Sequence, residues 1–308
     1  MRKEEFYFDS SDGKTKIRTL RFYPEGEVKA VLQIAHGMVE FIDRYENFAS
    51  YLCEQGYLVT GNDHLGHGGS VGSEDDWGYF AENDGYRKVL ADMHELTRIT
   101  KELCPGRPYF LLGHSMGSFL CRLYLIEYGN ELDGAIVMGT GQQDKGTLGV
   151  AKGLTKMIAA FKGWRHRSPL INSLALGSYN KCWEPSETHC DWLTKDEKIV
   201  NWYAHEPRCQ FLFTTNGYYN LFSLIGEIID KDNIAKMPKD LPVLITSGED
   251  DPVGNFGKDP KTVASLFREA GMKDVELKLY PKDRHEILNE TDKETVYEDI
   301  CRWLGSKQ

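Results

Sequence analysis

Residues 110–124, FLLGHSMGSFLCRLY, contain two apolar segments that differ in the spacing of their apolar residues and are joined by a sharp, glycine-rich turn. The run 110–112 is continuously apolar and follows Pro105, Gly106 and Pro108, as expected of a strand buried on both faces. After the turn the apolar positions recur at helical spacing, at Phe119, Leu120, Leu123, Tyr124 and Ile126. The pattern predicts a buried strand, a tight turn and a helix, which is an order typical of α/β proteins.

Ser115 lies on this predicted turn, between Gly113 and Gly117. The two glycines remove side chains where the backbones of strand and helix would otherwise collide. This is the mechanical basis of the Gly-x-Ser-x-Gly nucleophile elbow, which exposes the serine oxygen at the edge of a sheet. A glycine-rich turn with a capping serine is the simpler interpretation. The position between strand and helix favours Ser115 as a nucleophile, which then needs a base, an acid and an oxyanion hole.

Strand-like and helix-like segments alternate along most of the chain, which predicts a mainly parallel sheet covered by helices on both faces. Helical patterns occupy residues 45–53, 89–103, 260–270 and 294–304, between or after the strands. The strand-like runs are EEFYF, KIRTLRFYP, AVLQIAHG, the stretch 57–61, GAIVMG, PVLITSG and VELKLY.

Residues 142–236 break this alternation with aromatic residues and short amphipathic helical patterns. We interpret them as a helical cap inserted into a core made of residues 1–141 and 237–308. The alternative is a set of ordinary core helices in a larger α/β domain. Within the segment, Thr194 followed by Glu197 predicts a capping box at a helix start.

A serine nucleophile needs a histidine base that is held by a carboxylate, in the chain order serine, acid, histidine. His285 follows the strand VELKLY, and it is the one histidine after Ser115 that comes directly after a strand. The strand PVLITSG is followed by Glu249, Asp250 and Asp251. Glu249 follows the strand too closely. Asp250 and Asp251 are adjacent, so their side chains must point in different directions, and we favour Asp251 as the acid with Asp250 as the alternative.

An oxyanion hole needs two backbone N–H groups directed at the developing negative oxygen. One is expected from Met116, directly after the nucleophile. The second is expected from Met38, in the loop after AVLQIAHG, where Gly37 allows a close approach to the substrate. His36 and His114 each precede a key position at a strand end, and we interpret them as structural.

The composition excludes several classes of function. A net charge of −10 argues against nucleic-acid binding, and the basic cluster Lys162, Arg165, His166 and Arg167 is short enough to be a solvated face. No apolar run of about 18 residues predicts a membrane span, and the N-terminal residues lack the apolar core of a signal peptide. Seven scattered cysteines without a Cys-x-x-Cys pair indicate reduced thiols, and hence a cytoplasmic protein.

The segment HGMVEFIDRYENFASYLCEQGYLVTGNDHLGHGGS, the GHSMG turn, GEDDPVG and the late histidine loop together resemble the monoacylglycerol lipase and lysophospholipase branch of the α/β-hydrolases, which is often grouped with the serine aminopeptidases. The resemblance covers about residues 28–140 and 237 onward. One position departs from it, since the branch usually has histidine where this chain has Phe41.

The resemblance implies acyl transfer to water with no metal or cofactor. Ser115 attacks an ester carbonyl, His285 moves the proton and Asp251 orients the imidazole. The expected substrate is a small, lipid-like ester, such as a monoacylglycerol or another medium-chain monoacyl ester. A lysophospholipase, an aminopeptidase or amide hydrolase and a catalytically inactive receptor remain alternatives, and the oligomeric state is open. The aminopeptidase would need a cap carboxylate for the substrate ammonium group, from Glu184, Glu187, Asp191 or Glu206.

Overall fold

The computed structural model describes residues 1–308, and its centre is one eight-stranded sheet in the order β1-β2-β4-β3-β5-β6-β7-β8. The β1–β2 and β2–β4 pairs are antiparallel, and the five other pairs are parallel. The mainly parallel sheet predicted from the alternating pattern is therefore confirmed. The strands are β1 (Arg2–Asp9), β2 (Lys16–Tyr23), β3 (Ala30–Ala35), β4 (Tyr57–Asn62), β5 (Tyr109–His114), β6 (Gly134–Met138), β7 (Val243–Gly248) and β8 (Val275–Tyr280).

Burial of the strands follows their place in the sheet. Every residue of β3, β4, β5, β6 and β7 is buried, which explains their continuous apolar sequences. The two outer strands β1 and β8 instead alternate between more and less exposed residues, as edge strands do. The carboxyl ends of the central strands meet at one edge, where the loops that carry the predicted site residues begin.

Ten α-helices accompany the sheet and cover both of its faces. Helices α2, α3 and α9 pack into one apolar layer, and α1 and α10 pack into the other. The helices are α1 (Glu46–Glu54), α2 (Gly85–Leu103), α3 (Met116–Tyr128), α4 (Lys145–Lys162), α5 (Pro169–Leu176), α6 (Glu197–His205), α7 (Thr215–Ile228), α8 (Lys231–Ile234), α9 (Lys258–Glu269) and α10 (Lys293–Ser306).

Five of these helices, α4 to α8, lie in the long connection between β6 and β7. The predicted helix start at Thr194 is wrong. Helix α6 begins at Glu197, and the side chain of Asp196 accepts the hydrogen bonds that cap it. The Thr194 hydroxyl instead donates to the carboxylate of Glu290, 96 positions away. The side chain that the local pattern predicted as a helix cap therefore makes a long-range hydrogen bond.

All seven cysteines are free thiols, as expected from their scattered positions. None of the ten helices combines the length and the hydrophobicity that a bilayer crossing needs.

Candidate active site

Ser115 lies between β5 and α3 in a strained backbone conformation, with φ 55° and ψ −120°. Non-glycine residues rarely adopt positive φ, and such strain is typical of a nucleophile elbow. A Cβ atom on Gly117 would lie 2.0 Å from the Ala35 carbonyl oxygen, and one on Gly113 would lie 2.1 Å from that of Gly117. Both glycines are therefore needed for helix α3 to begin this close to β3 and β5.

His285 and Asp251 meet where the loops after β8 and β7 converge. The Nδ1 atom of His285 lies 3.0 Å from both carboxylate oxygens of Asp251, and both side chains are buried. Burial opposes ionisation of Asp251, but His285, the Val253 N–H and the Ser247 hydroxyl hold the pKa of its carboxyl below the usual value. Asp251 is therefore an anion that fixes the imidazole with its Nε2 atom free.

The neighbouring acidic residues have different surroundings. Glu249 and Asp250 are both exposed, and neither carboxylate bonds to the histidine. The backbone N–H of Asp250 donates to the Asp283 carbonyl, which fixes the loop and leaves its side chain in solvent. The structure thus brings Asp251, and not Asp250, to His285.

Ser115 and His285 line the same cavity. No hydrogen bond within 3.5 Å joins the serine hydroxyl to the imidazole in this structure. Catalytic hydrogen bonds are often long in the absence of substrate and tighten when it binds. A Cβ atom on Gly139 would lie 3.1 Å from the His285 ring, so a glycine at this position leaves space for the imidazole.

The backbone N–H groups of Met38 and Met116 donate no hydrogen bond within the protein, and both residues line the cavity beside Ser115. Unpaired donors next to a nucleophile are the arrangement required of an oxyanion hole. Val39, which follows Met38, has a positive φ of 57° and accepts a hydrogen bond from the Tyr203 hydroxyl. Helix α6 therefore helps to hold the loop that carries one of the two donors.

A buried charged network lies beneath this loop, and the sequence did not reveal it. Glu40 accepts from the Gly37 N–H and pairs with Arg44, which also binds both carboxylate oxygens of Glu286, the residue after His285. Burial opposes ionisation of Glu40, but Arg44 and His114 hold the pKa of its carboxyl well below the usual range. The network joins the loop that carries Met38 to the loop that carries His285.

His114 and His36, both interpreted as structural, are buried in this region. Burial favours the neutral form of His114, but its hydrogen bond to the Glu40 carboxylate and the charges of Glu40 and Glu286 outweigh burial and raise the pKa of the imidazole. His36 lies beside His64 and His67, and burial lowers the pKa of all three rings. Neither His36 nor His114 forms a hydrogen bond with the Ser115 hydroxyl.

A short segment before α6, residues 190–195, is fastened to the histidine loop. The Trp192 ring packs against His285 with their centroids 5.0 Å apart, and the Leu193 carbonyl accepts the Glu286 N–H. Glu290 is fully buried and accepts hydrogen bonds from the Lys195 N–H, the Arg284 N–H and the Thr194 hydroxyl. The position of His285 therefore depends on the connection between β6 and β7 as well as on the sheet.

The carboxylates of Asp283, Glu290 and Asp292 approach one another closely enough to be considered as a metal site. The ammonium group of Lys195 lies among them, 2.5 Å from Asp283 and 3.4 Å from Asp292. Because the positively charged Lys195 already contacts these carboxylates, their proximity by itself does not indicate a metal ion.

The cavity above Ser115 has a volume of about 560 Å³ and is lined mainly by apolar side chains of α4, α5 and α7. Its lining contains no lysine or arginine. Its only carboxylates belong to Glu40 and Glu286, and Arg44 pairs with both. Phe41 does not line the cavity, because it is buried under the Arg208 guanidinium.

Comparison with curated proteins identifies relatives along nearly the whole chain. The family model described as serine aminopeptidase, S33 matches residues 26–292. A monoacylglycerol lipase of Mycolicibacterium smegmatis is 26% identical over 287 residues, which cover 92% of this chain and 90% of that protein. A monoglyceride lipase of Saccharomyces cerevisiae is 27% identical, over 90% of this chain and 85% of that protein.

Solved structures agree with these relatives. A thermostable carboxyl esterase from Bacillus coagulans superposes with a TM-score of 0.92 at 28% identity, over 99% of both chains. A soluble variant of the Saccharomyces cerevisiae monoglyceride lipase superposes with a TM-score of 0.78 at 22% identity, over 100% of this chain and 97% of that one, and it supports the fold alone. The chain therefore belongs to the serine aminopeptidase S33 family, in the monoacylglycerol lipase-like branch of the α/β-hydrolases, and is a carboxylic ester hydrolase.

Proposed function

We propose that this enzyme hydrolyses monoacyl esters of medium chain length, monoacylglycerols among them, with Ser115 as nucleophile, His285 as base and Asp251 as the orienting acid. The observation that carries the proposal is the apolar cavity of about 560 Å³ that both Ser115 and His285 line. The Asp251 carboxylate at 3.0 Å from Nδ1 stabilises the imidazolium that forms when the imidazole takes the serine proton.

The reaction follows from these positions. Ser115 Oγ adds to the ester carbonyl and His285 accepts its proton, while the Met38 and Met116 N–H groups donate to the new oxyanion. The C–O bond to the alcohol then breaks, and His285 returns the proton to the departing alkoxide. Water deprotonated by His285 attacks the acyl-enzyme. The acyl bond to Ser115 Oγ then breaks, His285 gives the proton to that oxygen, and the carboxylic acid is released.

Residues 142–236 would act as the cap in this proposal. Their helices supply most of the apolar lining, including Leu154, Leu174 and Ile225, which suits an acyl chain. Each methylene that the cavity takes out of water contributes about 0.8 kcal/mol. We therefore expect kcat/KM to rise along an ester series until the cavity is full.

The charges of the lining support a neutral alcohol group. A lysophospholipid would bring a phosphate to a cavity without a lysine or arginine. An aminopeptidase would need a free carboxylate, but Glu40 and Glu286 are both paired with Arg44, and the carboxylates predicted for that role lie outside the lining. Those outside are Glu184, Glu187, Asp191 and Glu206.

The test compares kcat/KM for p-nitrophenyl acetate through laurate, for monoacylglycerols, for lysophospholipids and for aminoacyl p-nitroanilides. The proposal predicts a rise to medium chain length, turnover of monoacylglycerols above that of lysophospholipids, and negligible turnover of the anilides. A steady fall from acetate onward would indicate a short-chain esterase. Efficient anilide cleavage would favour the aminopeptidase alternative.

A further inference from the structure

One buried arginine has no part in the chemistry described above. Arg122 lies on α3, seven residues after Ser115, and its side chain is 0% exposed. Its neighbours on the helix, Cys121 and Leu123, are also buried and are apolar. No carboxylate lies within 4.0 Å of the Arg122 guanidinium, and burial lowers the pKa of this group. A buried charge without an ion pair is less stable in a core than an apolar side chain of similar size, so packing alone does not account for an arginine here.

The guanidinium of Arg122 donates hydrogen bonds to two separate parts of the chain. Its Nη1 atom lies 3.0 Å from the Gly141 carbonyl oxygen and 3.3 Å from the Thr140 hydroxyl. Its Nη2 atom lies 2.9 Å from Gln142 Oε1 and 3.2 Å from the Ile228 carbonyl oxygen. The planar guanidinium serves both parts at once because its N–H groups point in fixed and different directions.

These two parts lie near the two ends of the segment 142–236. Residues 140–142 lead from β6 towards α4, and Ile228 is the last residue of α7, after which the chain returns through α8 to β7. Helices α4 and α7 pack against each other and supply much of the apolar lining of the cavity. One side chain of α3 therefore holds both the start of α4 and the end of α7.

The acceptors at both ends are well suited to this arginine. The Gln142 backbone N–H donates to a carboxylate oxygen of Asp259 at 2.9 Å, and Asp259 lies in the first turn of α9. Gln142 is therefore held by α9 through its backbone and by α3 through its side chain. The Ile228 carbonyl is one of the last of its helix and lacks a partner within it, so Arg122 satisfies an acceptor that the helix leaves free.

We propose that Arg122 is a positioning residue, which fastens the start of α4 and the end of α7 to the helix that begins beside Ser115 and so keeps the acyl-binding part of the cavity aligned with the nucleophile. This inference rests on the proposed role of segment 142–236 as the cap. A short acyl group reaches little beyond Ser115, whereas a long one contacts walls that α4 and α7 supply, such as Leu154 and Ile225. Loss of the Arg122 hydrogen bonds should therefore weaken the turnover of long esters more than that of short ones.

Hydrogen exchange of the full chain tests this fastening without any substrate. Arg122→Lys keeps a charge but replaces the planar group with a single ammonium that does not bridge both ends, and Arg122→Met removes the charge. In both variants we expect the amides of α4 and of the last two turns of α7 to exchange roughly tenfold faster, since each lost hydrogen bond contributes about two- to tenfold. The amides of α10, which packs into the other apolar layer, should change less.

The ester series provides a second readout. We expect the ratio of kcat/KM for p-nitrophenyl decanoate to that for the acetate to fall roughly 15-fold in Arg122→Met, as if about two methylenes had left the cavity, and mainly through KM. The control is Ile300→Ala, because Ile300 is fully buried in α10 and does not line the cavity. This change lowers overall stability, so it should reduce the melting temperature and leave the ratio of the two esters unchanged.

Gln142→Leu removes one acceptor and leaves Arg122 in place, so it tests the same contact if the arginine variants do not fold. It should speed exchange in the first turns of α4. Wild-type exchange of α4 in Gln142→Leu and in every arginine variant that folds would overturn the proposal.

A decanoate-to-acetate ratio in Arg122→Met that matches the ratio in Ile300→Ala would also overturn it, because Arg122 would then act through stability alone. In the wild type, a steady fall of kcat/KM from acetate onward would instead contradict the proposed function, and the exchange rates would then decide the role of Arg122.

Discussion

Asp250 and Asp251 are neighbours in the chain, but their surroundings are opposite. Asp251 is fully buried and its carboxylate meets His285 at 3.0 Å, whereas Asp250 is exposed. The sequence left both residues as candidates, with Asp251 preferred, because two adjacent residues on a turn point in different directions and the pattern does not show which one faces the histidine. The pair offers a matched comparison for the role of the acid.

We predict that Asp251→Asn lowers kcat by about 10⁴, because an amide at this position no longer stabilises the imidazolium or its productive tautomer. Asp250→Asn, the same change one residue away, should leave kcat within about twofold, since its side chain bonds to nothing in the site. Steady-state hydrolysis of p-nitrophenyl butyrate measures both. Greater damage from Asp250→Asn would move the acid to that residue.

A substitution of Gly37 tests whether the backbone N–H of Met38 serves as an oxyanion donor. A Cβ atom on Gly37 would lie 2.6 Å from Glu40 Oε1 and 3.1 Å from the Ser115 Cβ, and Glu40 cannot retreat because Arg44 holds it. Gly37→Ala should therefore displace the loop and reduce kcat by about 10²–10³. The control is Gly226→Ala, where the added Cβ would meet nothing within 4 Å. Normal turnover by Gly37→Ala, with an unchanged melting temperature, would remove Met38 from the site.

Local patterns were enough to predict Ser115 and His285 as site residues, because a strand followed by a short loop is visible in the sequence. The Glu40–Arg44–Glu286 network was not predictable in this way. Arg44 and Glu286 are 242 positions apart, and nothing near either residue indicates that the two loops converge. Charged residues with partners this distant look like ordinary surface groups in the sequence.

At the scale of elements, strands and helices of the sheet region were predictable because buried strands and amphipathic helices have strong periodic patterns. The helices in the connection between β6 and β7 were less predictable. Thr194 and Glu197 match the pattern of a capping box, but the Thr194 hydroxyl donates to Glu290 in a distant loop. The side chain of Asp196 caps α6 instead. Tertiary contacts outweigh a local preference where a buried carboxylate needs partners.

Helix α2 offers a test of stability against pH. Asp92 is buried and accepts hydrogen bonds from the Ser10 hydroxyl at 2.7 Å and the Ser11 N–H at 2.6 Å, and burial raises its pKa from 3.8 to about 6. The unfolded chain therefore loses this proton at lower pH than the folded protein. As pH rises through the pKa values of 3.8 in the unfolded chain and about 6 in the folded protein, Asp92 lowers the free energy of unfolding. The total decrease is about 3 kcal/mol.

Asp92→Asn removes this titration. We predict that the free energy of unfolding of the variant minus that of the wild type rises by roughly 2.5 kcal/mol from pH 4 to pH 7, because only the wild type loses stability as Asp92 ionises. Urea unfolding at a series of pH values measures the difference. A difference that stays constant with pH would contradict the raised pKa of Asp92.

At the scale of the whole molecule, the sheet brings the ends of β5, β7 and β8 together, and the helices between β6 and β7 close an apolar cavity over them. The sequence predicted the sheet and the inserted helices as separate features. The size of the cavity and its lack of lysine and arginine depend on how the two parts pack, which no local pattern contains.

The central claim is that Ser115 is the nucleophile of this hydrolase, and covalent titration with a fluorophosphonate tests it most directly. We predict that one equivalent of reagent attaches to Ser115, as peptide mass mapping would show, and that p-nitrophenyl butyrate turnover falls in proportion to the labelled fraction. Ser115→Ala should keep its fold, take up no label and lose several orders of magnitude in kcat. Stoichiometric labelling at another residue, or full turnover by the labelled protein, would contradict the account.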